Sequence, residues 1–187
     1  MAMTPSNMLL LGTKAPDFSL PDTISSTVLS LNKLKGELGT VIMFICNHCP
    51  FVIHVNSELV NMANAYAEKG IGFIAISSND AANYPQDSPE NMKIHAHAES
   101  YPFPYLYDET QEVAKAYDAA CTPDFYVFDE KLELVYRGQL DDSRPGNSKR
   151  LTGKDLRQAL DYLIIGKKNT ETQKPSIGCN IKWKIPS

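Results

Sequence analysis

Cys46 and Cys49 are separated by two residues, Asn47 and His48, in the segment FICNHCP (44–50). Two thiols at this spacing can close a small disulfide ring and reopen it, which is reversible two-electron exchange. The run 40–45 before them is apolar almost throughout and rich in branched and aromatic residues, and it predicts a strand buried on both faces. From Val52 the apolar positions fall at Val55, Leu59, Met62 and Tyr66, one face of a helix that Gly70 stops. The thiols therefore lie where a strand hands over to a helix. Unpaired N–H groups and the positive end of the helix dipole stabilise a thiolate there. Such thiols ionise at pH ~3.5–7.5, against ~8.5 for an ordinary cysteine. Protonated His48 would add to the effect. The expectation is that Cys46 attacks a disulfide and Cys49 resolves the mixed disulfide. Pro50 favours the first helical position, so Cys49 as N-cap would be the better thiolate, with the roles exchanged.

Other chemistries fit less well. No second ligand pair follows at zinc-finger spacing, and His95 and His97, two apart, would point away from each other on a helix. Haem attachment needs histidine after the second cysteine, where this chain has Pro50. No metal and no cofactor are expected. Two inert buried cysteines are the plain alternative.

The surrounding elements alternate as in an α/β protein. A second buried strand covers 71–76, and a helix opens at Ser88 with Pro89 in its first turn. Asp108 and Gln111 open a short helix ending near Tyr117. Strands over 125–128 and 132–136 form a hairpin. A last helix opens at Thr152, carries Leu156, Leu160 and Leu163 inward and stops at Gly166. The first two strands should be parallel, with the hairpin as an antiparallel edge. The 187 residues read as one domain, with a core at about 10–166 and a tail over 167–187 that Trp183 packs onto the body.

A net charge of −4 and a pI near 5.5 give no footprint for nucleic acid. The early apolar runs 8–11 and 41–46 fall far short of the ~20 residues that span a bilayer, so no membrane association is expected. MAMTPSNMLLLG lacks the features of a secretory signal, which points to the cytoplasm, or to the periplasm if a signal was removed. Oligomeric state is not legible.

The C-x-x-C within this order of elements resembles the thioredoxin fold. GTKAPDFSL (12–20) is similar to the opening of the alkyl hydroperoxide reductase and thiol-specific antioxidant superfamily, which includes peroxiredoxins and thioredoxin-like reductases. With SSND (77–80), CTPDF (121–125), Arg137-Gly138, Asp141-Asp142 and GCNIKW (178–183), the chain resembles bacterial peroxiredoxin-like proteins of the thioredoxin family from about residue 10 onward. That resemblance implies a central mixed sheet flanked by helices, with an N-terminal extension and a C-terminal tail. It implies a cis bond at Thr122-Pro123, opposite the thiols, offering backbone groups to an extended substrate by strand addition.

Departures from the families narrow the chemistry. The peroxiredoxin pattern P-x-x-x-T/S-x-x-C finds Gly39 and Met43 before Cys46, and Ile42 and Cys46 before Cys49. The peroxiredoxin arginine falls at Pro123, the thioredoxin aromatic residue at Ile45 and its buried acid at Thr40. His48 is then the nearest base. The leading expectation is thiol–disulfide exchange with a protein disulfide or a small thiol. A thiol peroxidase acting on hydroperoxides, with antioxidant effect, comes second, and a non-catalytic binding or metal-sensing module third. Cys121 and Cys179 are additional thiols, read first as packing. Arg137, Arg144, Lys149 and Arg150 with Asp141 and Asp142 read as a solvated loop. The segment 101–107 reads as an extended wall at the entrance.

Overall fold

The structure is a computed structural model describing residues 3–185. The two apolar runs become neighbouring central strands, β4 (Gly39–Phe44) and β5 (Ile71–Ser77), parallel as expected. The numbering counts three short strands ahead of them, β1 (Met3–Pro5), β2 (Ser19–Pro21) and β3 (Val28–Ser30), and a one-turn helix α1 (Leu31–Leu34). Then come α2 (Pro50–Ala67), α3 (Pro89–Ala98), β6 (Tyr105–Tyr107) and α4 (Glu112–Ala116). The chain continues through β7 (Cys121–Thr122), β8 (Asp124–Asp129), β9 (Leu134–Gly138), α5 (Lys154–Ile164) and β10 (Ile177–Asn180). The main sheet has the order β6-β5-β4-β8-β9, with β8 antiparallel to β4 and the hairpin's second strand β9 at the edge.

Side chains alternate across a strand, and both faces of this sheet are covered. Val41, Met43 and Ile45 join α2, α3 and α5 in one core. Ile42 and Phe44 face the other, with Phe18, Leu31 and Tyr117. Full burial of each such side chain contributes ~1.5–3 kcal/mol, which is why the run shows no polar alternation. Ser88 caps α3 by accepting from Asn91 N at 3.4 Å, and Gly70 and Gly166 hold φ near +74° and +66° past their helices, as their positions in the sequence suggest.

Several details differ from the sequence reading. The hairpin's second strand begins at Leu134, because Leu132 has a left-handed turn conformation, φ 58°. The last helix begins at Lys154 after Gly153, with the buried Asp141 carboxylate accepting from the Thr152 and Gly153 N–H groups. The 101–107 segment contains β6, a third parallel strand, and its tyrosines pack inside the protein instead of lining an entrance. Arg137 is wholly buried, not solvated; it pairs with buried Asp124 at 3.0 Å and lies over the Tyr126 ring.

The tail does return to the body, but not through Trp183, which stays 39% exposed. Strand β10 inserts between β1 and β7 to make a separate three-stranded sheet. Gly178 makes this possible: a Cβ there would sit 2.0 Å from the Thr122 carbonyl oxygen. No helix among the described residues is long and apolar enough to cross a membrane.

Candidate active site

Cys46 follows β4, and Cys49 is the N-cap of α2, with Pro50 in the first turn. Opposite them lies Thr122-Pro123, whose peptide bond is cis. Cys46 Sγ is 3.4 Å from the Thr122 hydroxyl, and Cys49 Sγ is 3.1 Å from the Thr122 carbonyl oxygen, an acceptor when Cys49 is protonated. The structure thus brings Cys46, Cys49, Thr122 and Pro123 together. All four cysteines are reduced and buried.

Cys49 is the more acidic of the two sulfurs, the order that its N-cap position offered as the alternative. A hydrogen bond donated by Cys46 is the largest influence on Cys49 and lowers it; burial opposes this. Donors at Cys179 and Thr122 and the Val52 N–H at the helix start then add to the lowering, bringing the Cys49 thiol to about 5. Cys46 is held well above the usual thiol range by its bond to the Cys49 sulfur, by burial and by the charge of Asp87. One thiolate is favoured, and it belongs to Cys49.

Asp87, which the sequence reading passed over, organises the Cys46 side. It is fully buried, 2.6 Å from His48 Nδ1, and it accepts from the Asn47 N–H at 2.9 Å and from Asn79 at 2.8 Å. Burial alone would raise this carboxyl, but His48 and these donors bring it below the ordinary carboxylate range. Donor atoms of Cys46, His48 and Asp87 lie within 4.8 Å of one another. The set has the chemistry of a metal site, yet His48 and Asp87 touch directly, closer than the ~3.3 Å that separates two ligands each ~2.0 Å from one tetrahedral ion. The arrangement is instead a thiol beside an imidazole oriented by a buried carboxylate. Tyr84 stacks on the His48 ring, with centroids 5.9 Å apart, and completes the orientation.

The model of the AhpC/TSA family matches residues 11–137. The chain belongs to the AhpC/TSA family. This AhpC/TSA protein is 61% identical to an uncharacterized conserved protein from Geobacillus kaustophilus, with a TM-score of 0.98 over 100% of this chain and 99% of that one. It is 48% identical to a hypothetical protein from Sinorhizobium meliloti 1021, with a TM-score of 0.95 over 98% of this chain and 100% of the other. The thioredoxin domain of a thiol-disulfide oxidoreductase from Bacteroides vulgatus shares the fold, with a TM-score of 0.65 at 19% identity over 84% of this chain and 99% of that domain. No curated protein matches the chain. The fold is thioredoxin-like, and family and neighbours together support a redox function for its thiols.

Two further sequence expectations meet this AhpC/TSA site differently. Cys121 packs as anticipated, with Sγ 3.6 Å from the Pro123 carbonyl oxygen and burial driving its thiol far up. Cys179 was read first as tail packing, but it reaches the pair: its Sγ is 2.8 Å from Cys49 Sγ. Nor is the cis-proline edge open to an extended substrate, because β10 already pairs with β7, Cys179 opposite Thr122.

Proposed function

We propose that the protein is a thiol–disulfide oxidoreductase that cycles Cys46 and Cys49 between dithiol and disulfide, with a disulfide of a small thiol as substrate. The observation that carries this reading is the geometry of the pair: Cys49 at the N-cap of α2, Cys46 beside His48 and Asp87, and both sulfurs against the cis Thr122-Pro123 turn. Occupation of the β7 edge by β10 favours a small disulfide over an extended protein strand. Both thiols are almost without exposure, so the substrate gains access through local opening of the half-buried Asn47-His48 turn.

In the first step the Cys49 thiolate attacks one sulfur of the substrate disulfide, and the other sulfur leaves as a thiol after taking a proton from solvent. With the negative charge gone from Cys49, Cys46 gives its proton to His48 and attacks the Cys49 sulfur. The second substrate thiolate leaves and takes that proton, so the Cys46–Cys49 disulfide forms as one substrate disulfide becomes two thiols. Asp87 fixes the imidazole for this transfer.

The acidity is testable directly. Thiolate absorbance of reduced protein should titrate with a midpoint near pH 5, and Cys49→Ser should abolish that transition. A first transition above pH 8 would overturn the reading. The sign for folding follows from the lowered value: Cys49 adds stability that is complete above ~8.5, its unfolded value, and is lost as pH falls through about 5.

His48→Gln separates the two steps. Release of the second thiol should slow by roughly 10²-fold, while formation of the Cys49 mixed disulfide in rapid-quench experiments keeps its rate. Equal slowing of both steps would remove His48 from the proton transfer.

A further inference from the structure

Cys49 is the middle sulfur of three: it accepts from Cys46 on one side and lies 2.8 Å from Cys179 Sγ on the other. A disulfide bond is ~2.05 Å long, so the Cys49–Cys179 pair is within ~0.8 Å of bonding distance. This closeness is built by the fold across 130 residues of sequence. Strand β10 is fixed on both sides of Cys179. Ahead of it, Ser176 donates to the Pro123 carbonyl at 2.6 Å, and its own carbonyl accepts from Ser6 N at 2.8 Å. Beyond it, Ile181 N donates to Ala120 O, and Lys182 N donates to Asn79 Oδ1 at 2.8 Å. The glycine next to the cysteine lets the strand lie directly on the Thr122 carbonyl.

We infer that Cys179 is a third redox thiol, which takes Cys49 from the Cys46–Cys49 disulfide and returns Cys46 to the thiol form. The step rests on the exchange activity proposed above, whose product is its reactant. The Cys179 sulfur attacks Cys49 Sγ; the Cys49–Cys179 bond forms, the Cys46–Cys49 bond breaks, and the proton of Cys179 passes to the departing Cys46 sulfur. No electrons enter or leave, so no further oxidant is needed. Both outer thiols hold their protons firmly in the reduced protein: Cys46 well above the ordinary range, and Cys179 at about 12 through burial and its contact with Cys49. The proton therefore moves between two sulfurs that both hold it above the ordinary thiol range in the reduced protein. Its consequence is chemical: the two-electron-oxidised protein keeps Cys46 as a thiol beside His48 and Asp87, able to engage a second molecule. Cys121 has no such geometry and serves as an internal control.

The test uses the full chain. Reduced protein is treated with oxidised glutathione, quenched in acid, alkylated and mapped by peptide mass spectrometry. The expected result in wild type is a Cys49–Cys179 link beside Cys46–Cys49, at least tenfold more abundant than any link to Cys121. In Cys46→Ser, Cys49–Cys179 should replace the Cys49–glutathione adduct as the main product. Cys179→Ser should remove the Cys49–Cys179 link while Cys46–Cys49 still forms. If wild type forms Cys46–Cys49 but Cys46→Ser stops at the glutathione adduct with Cys179 fully alkylated, the third-thiol role is overturned and the exchange reading stands. A Cys121 link as abundant as the Cys179 link also overturns the role. Absence of both Cys46–Cys49 and Cys49–Cys179 from wild type overturns both readings.

Discussion

Cys49→Ser is expected to abolish exchange with oxidised glutathione, lowering the rate on the order of 10³-fold or more, because it removes the thiolate that makes the first attack. With its thiol at about 5, Cys49 is ionised almost completely at neutral pH, where an ordinary thiol is ionised to a few per cent. This gain of roughly 30-fold in thiolate is offset by lower intrinsic nucleophilicity, about 0.4–0.5 log units for each pH unit of lowering. The net advantage in attack is therefore small at pH 7 and grows as the solution becomes more acidic. The larger benefit falls on the opposite step, since an acidic sulfur is a good leaving group and a reduced pair that holds a stable thiolate is a strong oxidant when oxidised. The double variant Cys46→Ser/Cys179→Ser should retain the first attack and stall as a glutathione adduct at Cys49. Rapid-quench mass spectrometry reads both outcomes. A Cys49→Ser protein that still forms the adduct at Cys46 at an undiminished rate would return the first attack to Cys46.

Arg137→Met is expected to destabilise the protein by about 3–5 kcal/mol, measured by chemical denaturation. The guanidinium donates to Asp124, to the Tyr117 carbonyl and to the Asp118 carbonyl, all without solvent to replace it. Removing it leaves a buried carboxylate and two carbonyls with lost donors. Burial already pushes the Asp124 carboxyl up, and Arg137 is the main pull against that. The variant should therefore be least stable at high pH. Asp124 holds its proton up to about 7 even beside Arg137 and to higher pH without it, so the deficit relative to wild type widens as pH rises above about 7 and is level between there and ~3.9. Replacing both partners, Arg137→Met with Asp124→Leu, should recover much of the loss. A single variant as stable as wild type would show that the pair is not a structural clamp beneath the cis-proline turn.

The site was legible in the sequence where its chemistry is local. C-x-x-C after a buried strand, Pro50 in the first helical turn and Thr122-Pro123 before an apolar run are neighbours in the chain, and each has the role its local geometry dictates. The acidity order of the two sulfurs follows mainly from the hydrogen bond between them, to which the helix start, marked in the sequence by Pro50, adds a smaller part. What escaped is what depends on distant segments. Asp87 sits in a short turn before α3 and gains meaning only because His48, 39 residues earlier, is folded against it. Arg137 looks like a surface charge until β8 places Asp124 beside it. Cys179, in a polar tail, shows no periodicity; only the glycine next to it hints that a strand must fit tightly against something. Strand β6 was hidden by the prolines just ahead of it and by its aromatics, which read equally well as extended loop.

Strand β10 enters between β1 and β7, and in its register Met3 pairs with Cys179. Both flanking partners precede β10 in the chain, so the slot between them is filled by a segment more than fifty residues beyond the nearer one. Cys46 and Cys49 are neighbours in the chain and stay close without β10, whereas Cys179 joins them only when that strand is seated in its slot.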